Sequence, residues 1–188
     1  MSKQEFFSVH HQMTVNIEPL AADFVFPSTQ VFESEIPTPF IVASEFSQLD
    51  QLSESARVEL KNSDFKHVVQ LLDTQNSKLN LLLTFMLSQQ DDEQYRNKTL
   101  SFGASQFSYC SATPLPAETK VRVKLFLDHP PAAIYCYGTV DSIEENEQGW
   151  ETTVRYSLLR DIDEDLLIRA ALHQQQKLLR QRSLNRDK

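Results

Sequence analysis

The residues best suited to chemistry in this chain are scattered rather than gathered. His10 and His11 are adjacent. Neighbours on a strand point to opposite faces, so the two imidazoles cannot chelate one ion together. His67, His129 and His173 stand far apart and read as solvated side chains. Cys110 and Cys136 have no obvious cationic neighbour in sequence to hold a thiolate, and read as buried strand positions. The run from Asp161 to Asp165 offers carboxylates for acid–base work or for calcium. It lacks the spaced ligands and turn glycine of a calcium loop, and reads as the acidic opening turn of a helix. Ser105 and Ser108 have no Gly-x-Ser-x-Gly context and form no nucleophile elbow. Arg122 and Lys124, with Arg155, could make a small anion-attracting patch or a solvated basic face. The tail from Lys177 to Lys188 is basic and could grip an acidic partner or RNA, but has no aromatic residues to stack bases. No nucleophile, acid–base pair or metal cluster emerges. The expectation is a protein that is not an enzyme, with no catalytic residues, no metal and no cofactor.

Composition narrows the class further. The chain has 188 residues, 40% hydrophobic, enough for one good core or two small ones. A net charge of -8 disfavours nucleic acid and anionic membrane as partners, because both require a dense cationic face. No apolar run approaches the roughly 20 residues of a membrane span, so stable membrane insertion is not expected. The N-terminal residues have no continuous apolar core and do not read as a secretory signal. Two isolated cysteines fit a reducing cytoplasm. Three glycines are too few for a Gly-rich phosphate cradle.

The elements that must position these residues fall into three segments. Residues 1–62 hold an alternating strand from Phe7 to Ile17, a loop broken by Pro27, Pro37 and Pro39, and a helix opened by Thr38 that fades around Ser53 to Ser55. Residues 63–90 form a long helix from Ser63 or Asp64 to about Gln89. After a polar linker, Gln90 to Lys98, residues 97–182 read as a small β-barrel and a closing helix. Its strands are Leu100 to Phe102, Phe107 to Cys110, Val121 to Leu127, Ile134 to Ile143 and Thr152 to Leu158. The fold class is α+β.

The long helix carries the clearest pattern in the chain. Phe65, Val68, Leu72, Leu79, Leu82 and Met86 recur at steps averaging 3.5 residues, with Gln75 as the one polar slot. Val69, Leu71, Leu83 and Phe85 widen the stripe beyond a two-stranded seam. A helix of about 26 residues spans nearly 40 Å, more than a small barrel can cover. The seam is therefore expected to join copies of the chain; packing wholly within one subunit is the alternative.

In this order, helix, barrel and closing helix, the second half of the chain resembles the PilZ domain family. The resemblance rests on Leu100 to Tyr109, Val121 to Leu127, Ile134 to Val140, Thr153 to Tyr156 and the closing helix from Asp161. It implies a bacterial signalling or adaptor protein linked to cyclic di-GMP and to motility or surface behaviour, working through a protein partner. The segment Leu71 to Leu87 looks like the helical extension of an atypical PilZ subgroup, which implies a homo-oligomer, tetramer favoured and dimer as the alternative. Messenger-binding members carry Arg-x-x-x-Arg ahead of the barrel and Asp/Asn-x-Ser-x-x-Gly on early strands. Here the second motif aligns with Gly103 to Ser108, and only Ser105 matches. Arg96 stands without a second arginine at that spacing, beside Asp91, Asp92 and Glu93. A bis-phosphate ligand needs cationic forks, so cyclic di-GMP is expected to bind weakly or not at all. A divergent receptor site would draw on Arg96, Gly103, Ser105, Ser108 and Arg155.

Overall fold

The alternating segments become seven antiparallel strands in a computed structural model that describes residues 8–61, 64–128, 131–147 and 149–186. They are β1 (Ser8–His10), β2 (Thr14–Pro19), β3 (Arg96–Gly103), β4 (Gln106–Ser111), β5 (Lys120–Asp128), β6 (Pro131–Asn146) and β7 (Gly149–Leu158). The helices are α1 (Thr29–Glu35), α2 (Thr38–Lys61), α3 (Lys66–Ser88) and α4 (Asp161–Arg186), with a 3-10 turn at Glu93–Tyr95. The strand order β3-β2-β5-β6-β7-β4 closes on itself through a β3–β4 pairing, giving a six-stranded barrel. Closure leaves little free strand edge.

The strand expected from Phe7 to Ile17 is broken in two, and Phe7 lies outside the described residues. Ser8 pairs with Gly103 and Val9 with Phe102, whereas Thr14 pairs with Lys98 and Val15 with Asn97. The N-terminal strand thus carries one extra residue against β3, a bulge. Thr99 fills the break. Its hydroxyl accepts from Met13 N at 2.9 Å and donates to His11 O at 2.7 Å. The alternation survives, since Val9, Met13, Val15 and Ile17 all enter the core. β2 runs between β3 and β5, so this strand is part of the barrel. Its pairing also recruits Arg96 to Lys98 into β3, where the sequence suggests linker.

Val121, Val123, Leu125 and Leu127 of β5 face inward, as their spacing predicts, against Ile134, Cys136 and Val140 of β6. Leu166, Leu167 and Ala171 of α4 join that core. Leu158 does not share the face of Val154 and Tyr156. Tyr137 opposes Leu158 while Gly138 opposes Tyr156, so Ser157 is an extra residue and Leu158 packs outside the barrel.

A second apolar layer lies there. Phe32, Ile36, Phe40, Ala43, Leu83 and Leu87 pack on Phe126, Ala133, Tyr135 and Tyr137. The segment expected to be loop before Thr38 holds α1, and Phe24 and Phe26 lie against Tyr137 at 5.3 and 6.0 Å between ring centroids. α2 does not fade at Ser53 to Ser55 but runs to Lys61, because α3 packs along it and Arg57 pairs with Asp73 of α3 at 3.1 Å. α3 starts slightly later than expected, with Phe65 at the cap position and no side-chain cap bond. Its 23 residues span about 35 Å.

Gly138 sits at a close approach within the barrel wall. A Cβ there would sit 2.7 Å from Val154 Cγ1 and 2.9 Å from the carbonyl of Arg155. Gly138→Ala is predicted to destabilise the chain by about 1–3 kcal/mol through overpacking. Urea unfolding followed by circular dichroism measures this, and an unchanged midpoint contradicts the close fit.

Candidate functional sites on the helical hairpin and the barrel

Two apolar anchors hold the α2–α3 hairpin on the barrel: Phe40 with Ala43, and Leu83 with Leu87. Away from them the helices pack on each other and leave much apolar surface open. Phe65, Val68, Leu72, Leu79 and Leu82 are between 46 and 67% exposed. Leu72, Gln75 and Leu79 line a groove of about 350 Å³ between the two helices, facing Leu49, Ala56 and Leu60 of α2. Asp50 and Asn76 meet across it at 3.5 Å. Met86 is turned toward the apolar layer on the barrel and is partly buried. Leu71, Leu81 and Phe85 add a further exposed strip. The seven residues of the expected seam are thus divided. Phe65, Val68 and Leu82 are exposed, three share the groove with α2, and Met86 leans on the barrel.

The five residues of the expected ligand site are not brought to one place. Arg96 and Gly103 stand at opposite ends of β3, seven steps or about 23 Å apart. Gly103, Ser105 and Arg155 lie at one end: Ser105 O accepts from Tyr156 N at 3.0 Å, and Gln106 pairs with Arg155. Ser108 is buried, its hydroxyl bonded to that of Ser101 at 2.9 Å.

Arg96, Arg122 and Arg155 of the barrel are each paired with a carboxylate, and Lys124 is hydrogen-bonded. Arg96 Nε donates to Asp91 Oδ2 at 2.8 Å, and its Nη1 lies 3.4 Å from Glu93. Asp91 in turn accepts from Asn16 Nδ2 at 2.8 Å. Arg155 pairs with Asp141. Arg122 pairs with Glu18, its cross-strand partner, at 2.8 Å. Lys124 Nζ donates to Gln90 O at 3.1 Å. The patch suggested for Arg122, Lys124 and Arg155 is therefore a set of separate ion pairs and hydrogen bonds. A phosphate would have to displace a carboxylate from each arginine it engaged.

One polar constellation went unread in the sequence. Asp161 and Glu164 are exposed in the first turn of α4, as helix-dipole logic expects. Asp163 is different: it is fully buried. Arg160 grips it with two bonds, Nε to Oδ2 at 2.7 Å and Nη2 to Oδ1 at 2.9 Å. The same Nη2 donates to Ser44 Oγ of α2 at 3.0 Å. Burial pushes the Asp163 carboxyl up, and Arg160 opposes that shift. The clamp ties the hairpin to the start of the closing helix. The available signal was an arginine three residues ahead of an acid at a strand–helix junction.

Cys136 is fully buried, which pushes its thiol well up, and Cys110 is partly exposed, with Sγ 4.0 Å from Asn146 Oδ1; the two are not joined in a disulfide. Among the described residues no three His, Cys, Asp or Glu side chains come together as metal ligands. His129 lies outside the described residues. Among the described residues, no helix is long and apolar enough to cross a membrane.

A closed six-stranded barrel, a C-terminal helix across it and a helical hairpin on its outer face define the class of this protein. No family model and no curated protein sequence matches the chain. Solved structures do. A Xanthomonas campestris protein, described as a tetrameric PilZ domain self-assembled via a helical bundle, matches with a TM-score of 0.59 at 15% identity, over 94% of this chain and 92% of that one. The Bacillus subtilis inhibitor of motility MotI/DgrA matches with a TM-score of 0.50 at 9% identity, over 94% of this chain. This chain spans only about half, 53%, of MotI/DgrA. The protein has a PilZ-like fold.

Arg160→Leu leaves the Asp163 charge buried without its partner and is predicted to cost about 3–5 kcal/mol. Adding Asp163→Leu should restore much of that loss. Urea midpoints of the two variants test it; equal midpoints for Arg160→Leu and wild type contradict the clamp.

Proposed function

We propose that this chain is a non-catalytic PilZ-like signalling or adaptor protein of the cytoplasm. It assembles through α3 into a homo-oligomer, a tetramer in preference to a dimer, and acts through a protein partner in cyclic di-GMP-related control of motility or surface behaviour. The observation that carries this reading is the apolar face of α3, left open in a single chain although each Leu or Phe on it would contribute roughly 1.5–3 kcal/mol when buried. An exposed strip of this size marks an interaction surface. The Xanthomonas protein, described as assembling by a helical bundle, and the Bacillus protein, named for inhibiting motility, support the same reading. Leu79→Glu with Leu82→Lys should dissociate the oligomer without unfolding the barrel, since Leu79 and Leu82 are largely exposed. Light scattering gives the mass; an unchanged mass for the double variant contradicts assembly through this seam.

On this reading the messenger itself binds weakly or not at all. Arg96 is engaged by Asp91 and Glu93, Arg155 by Asp141, and Ser108 by Ser101. Calorimetric titration of cyclic di-GMP is predicted to give no saturable heat at micromolar ligand. A stoichiometric titration near micromolar affinity would instead assign a divergent receptor site to this barrel.

A further inference from the structure

The closing helix α4 has two patterned sides. One is spent on the barrel: Leu166, Leu167 and Ala171 enter its core, and Gln174 reaches His11 at 3.4 Å. The other faces outward. Ile168, Leu172, Gln175 and Leu179 recur along it at steps of four, three and four. Continued in the same alternating steps, the series meets Asp165 and Asp161 toward the start of the helix, and Arg182 and Arg186 toward its end. With 3.6 residues per turn, all these positions fall within a sector of about 100°. Ile168, Leu172 and Leu179 are 38, 45 and 57% exposed, and Asp161, Asp165, Gln175 and Arg182 are exposed as well. Lys177 and Arg180 lie outside this sector and line a separate depression with His173.

The outward series is acidic at one end, apolar in the middle and basic at the other. Among the described residues, no ion pair within the chain engages Asp161, Asp165 or Arg182. Turned end for end, the series matches itself. Asp165 falls opposite Arg182, Ile168 opposite Leu179, and Leu172 opposite Gln175, while Asp161 meets position 186. A parallel pairing would instead set Asp165 against its own copy. An antiparallel pairing also places each helix N-terminus beside a C-terminus, where the dipoles attract. An anionic lipid surface would attract the basic end of this face and repel the acidic end. A second α4 satisfies both ends.

We propose that the outward face of α4 pairs with the same face of a second copy of this chain, antiparallel about a two-fold axis beside His173 and Gln174. The contact is separate from the α3 seam and does not depend on it. An interface of this symmetry requires a self-complementary patch, which the reversed order of charges supplies. Ile168, Leu172 and Leu179 of both copies are covered, and their burial provides the affinity. The exposed charge pairs at the two ends contribute little energy each, but they select the antiparallel direction and the register.

The test mixes two full-length chains under mild oxidation, one carrying Asp165→Cys and the other Arg182→Cys. Both also carry Cys110→Ser, which removes the partly exposed native thiol. Asp165 and Arg182 are exposed, so the substitutions are compatible with the fold. A disulfide requires Cα atoms within about 7 Å. The expected product is a mixed disulfide between the two chains. Neither chain alone should form a linked dimer, because two copies of Asp165 lie about 25 Å apart in the antiparallel pair. The mixed dimer keeps one Asp165–Arg182 pair. Adding Arg182→Glu to the Asp165→Cys chain should therefore lower the yield about threefold; an unchanged yield contradicts that register. Linked dimers of the Asp165→Cys chain alone would mean a parallel pairing and overturn the proposal. An oligomeric chain with no mixed disulfide overturns this contact and leaves the α3 seam standing. A mixed disulfide between chains that also carry Leu79→Glu and Leu82→Lys upholds this contact whatever becomes of the seam. Co-sedimentation of the wild-type chain with phosphatidylglycerol vesicles, with no mixed disulfide, would assign the face to lipid and overturn the proposal.

Discussion

The outer face of β6 holds this molecule together in its particular form. Ala132, Ala133, Ile134, Tyr135, Cys136 and Tyr137 are all buried, although successive strand residues point to opposite sides. Ile134 and Cys136 enter the barrel, while Tyr135 and Tyr137 enter the layer formed by α1, α2 and α3. A barrel with two tyrosines and Phe126 bare on its surface would be a sticky one, so the helices have to be seated there. Ring contacts of Phe32 and Phe40 with Tyr135, at 6.1 and 5.8 Å, fix the seat. The Tyr137 hydroxyl donates to Glu35 at 2.8 Å, and burial raises its pKa. The apolar layer and the Arg160–Asp163–Ser44 clamp together set the direction in which the hairpin leaves the barrel.

That direction has a consequence for α3. Near the barrel its apolar residues, Leu83 and Leu87, are covered. Farther out α3 packs along α2, which leaves a groove and an open flank rather than a closed core. Isolated two-helix hairpins gain little from such packing, because a stable helix needs its apolar face covered. The distal hairpin is thus the part of the chain whose folding and assembly are most closely coupled under the proposed reading. The barrel does not have this dependence, since its core is complete with α4 in place.

Much of this was legible in the sequence, and the failures have physical causes. Period-two alternation found every strand of the barrel, because inward residues such as Val121, Val123 and Leu125 have no other way to be buried. The 3.5-residue period placed α3 to within a few residues. What pattern alone did not resolve was long-range pairing. Arg96 to Lys98 are polar, and become strand only because β2 pairs with them. Bulges were equally invisible, and the extra residue Ser157 turns Leu158 away from the face that Val154 and Tyr156 share. The outer layer did leave a trace, since Ala132 to Tyr137 has no polar residue to face water. As for the ligand residues, spacing along a strand could not say that Arg96 and Gly103 sit at opposite ends of it, nor that carboxylates from other strands and turns already hold the arginines.

Sedimentation equilibrium of the wild-type chain at micromolar concentration tests the central claim most directly. Assembly through α3 requires a particle several times the 21.7 kDa of one chain, with four copies favoured. A single species of 21.7 kDa, unchanged as concentration rises, would contradict it.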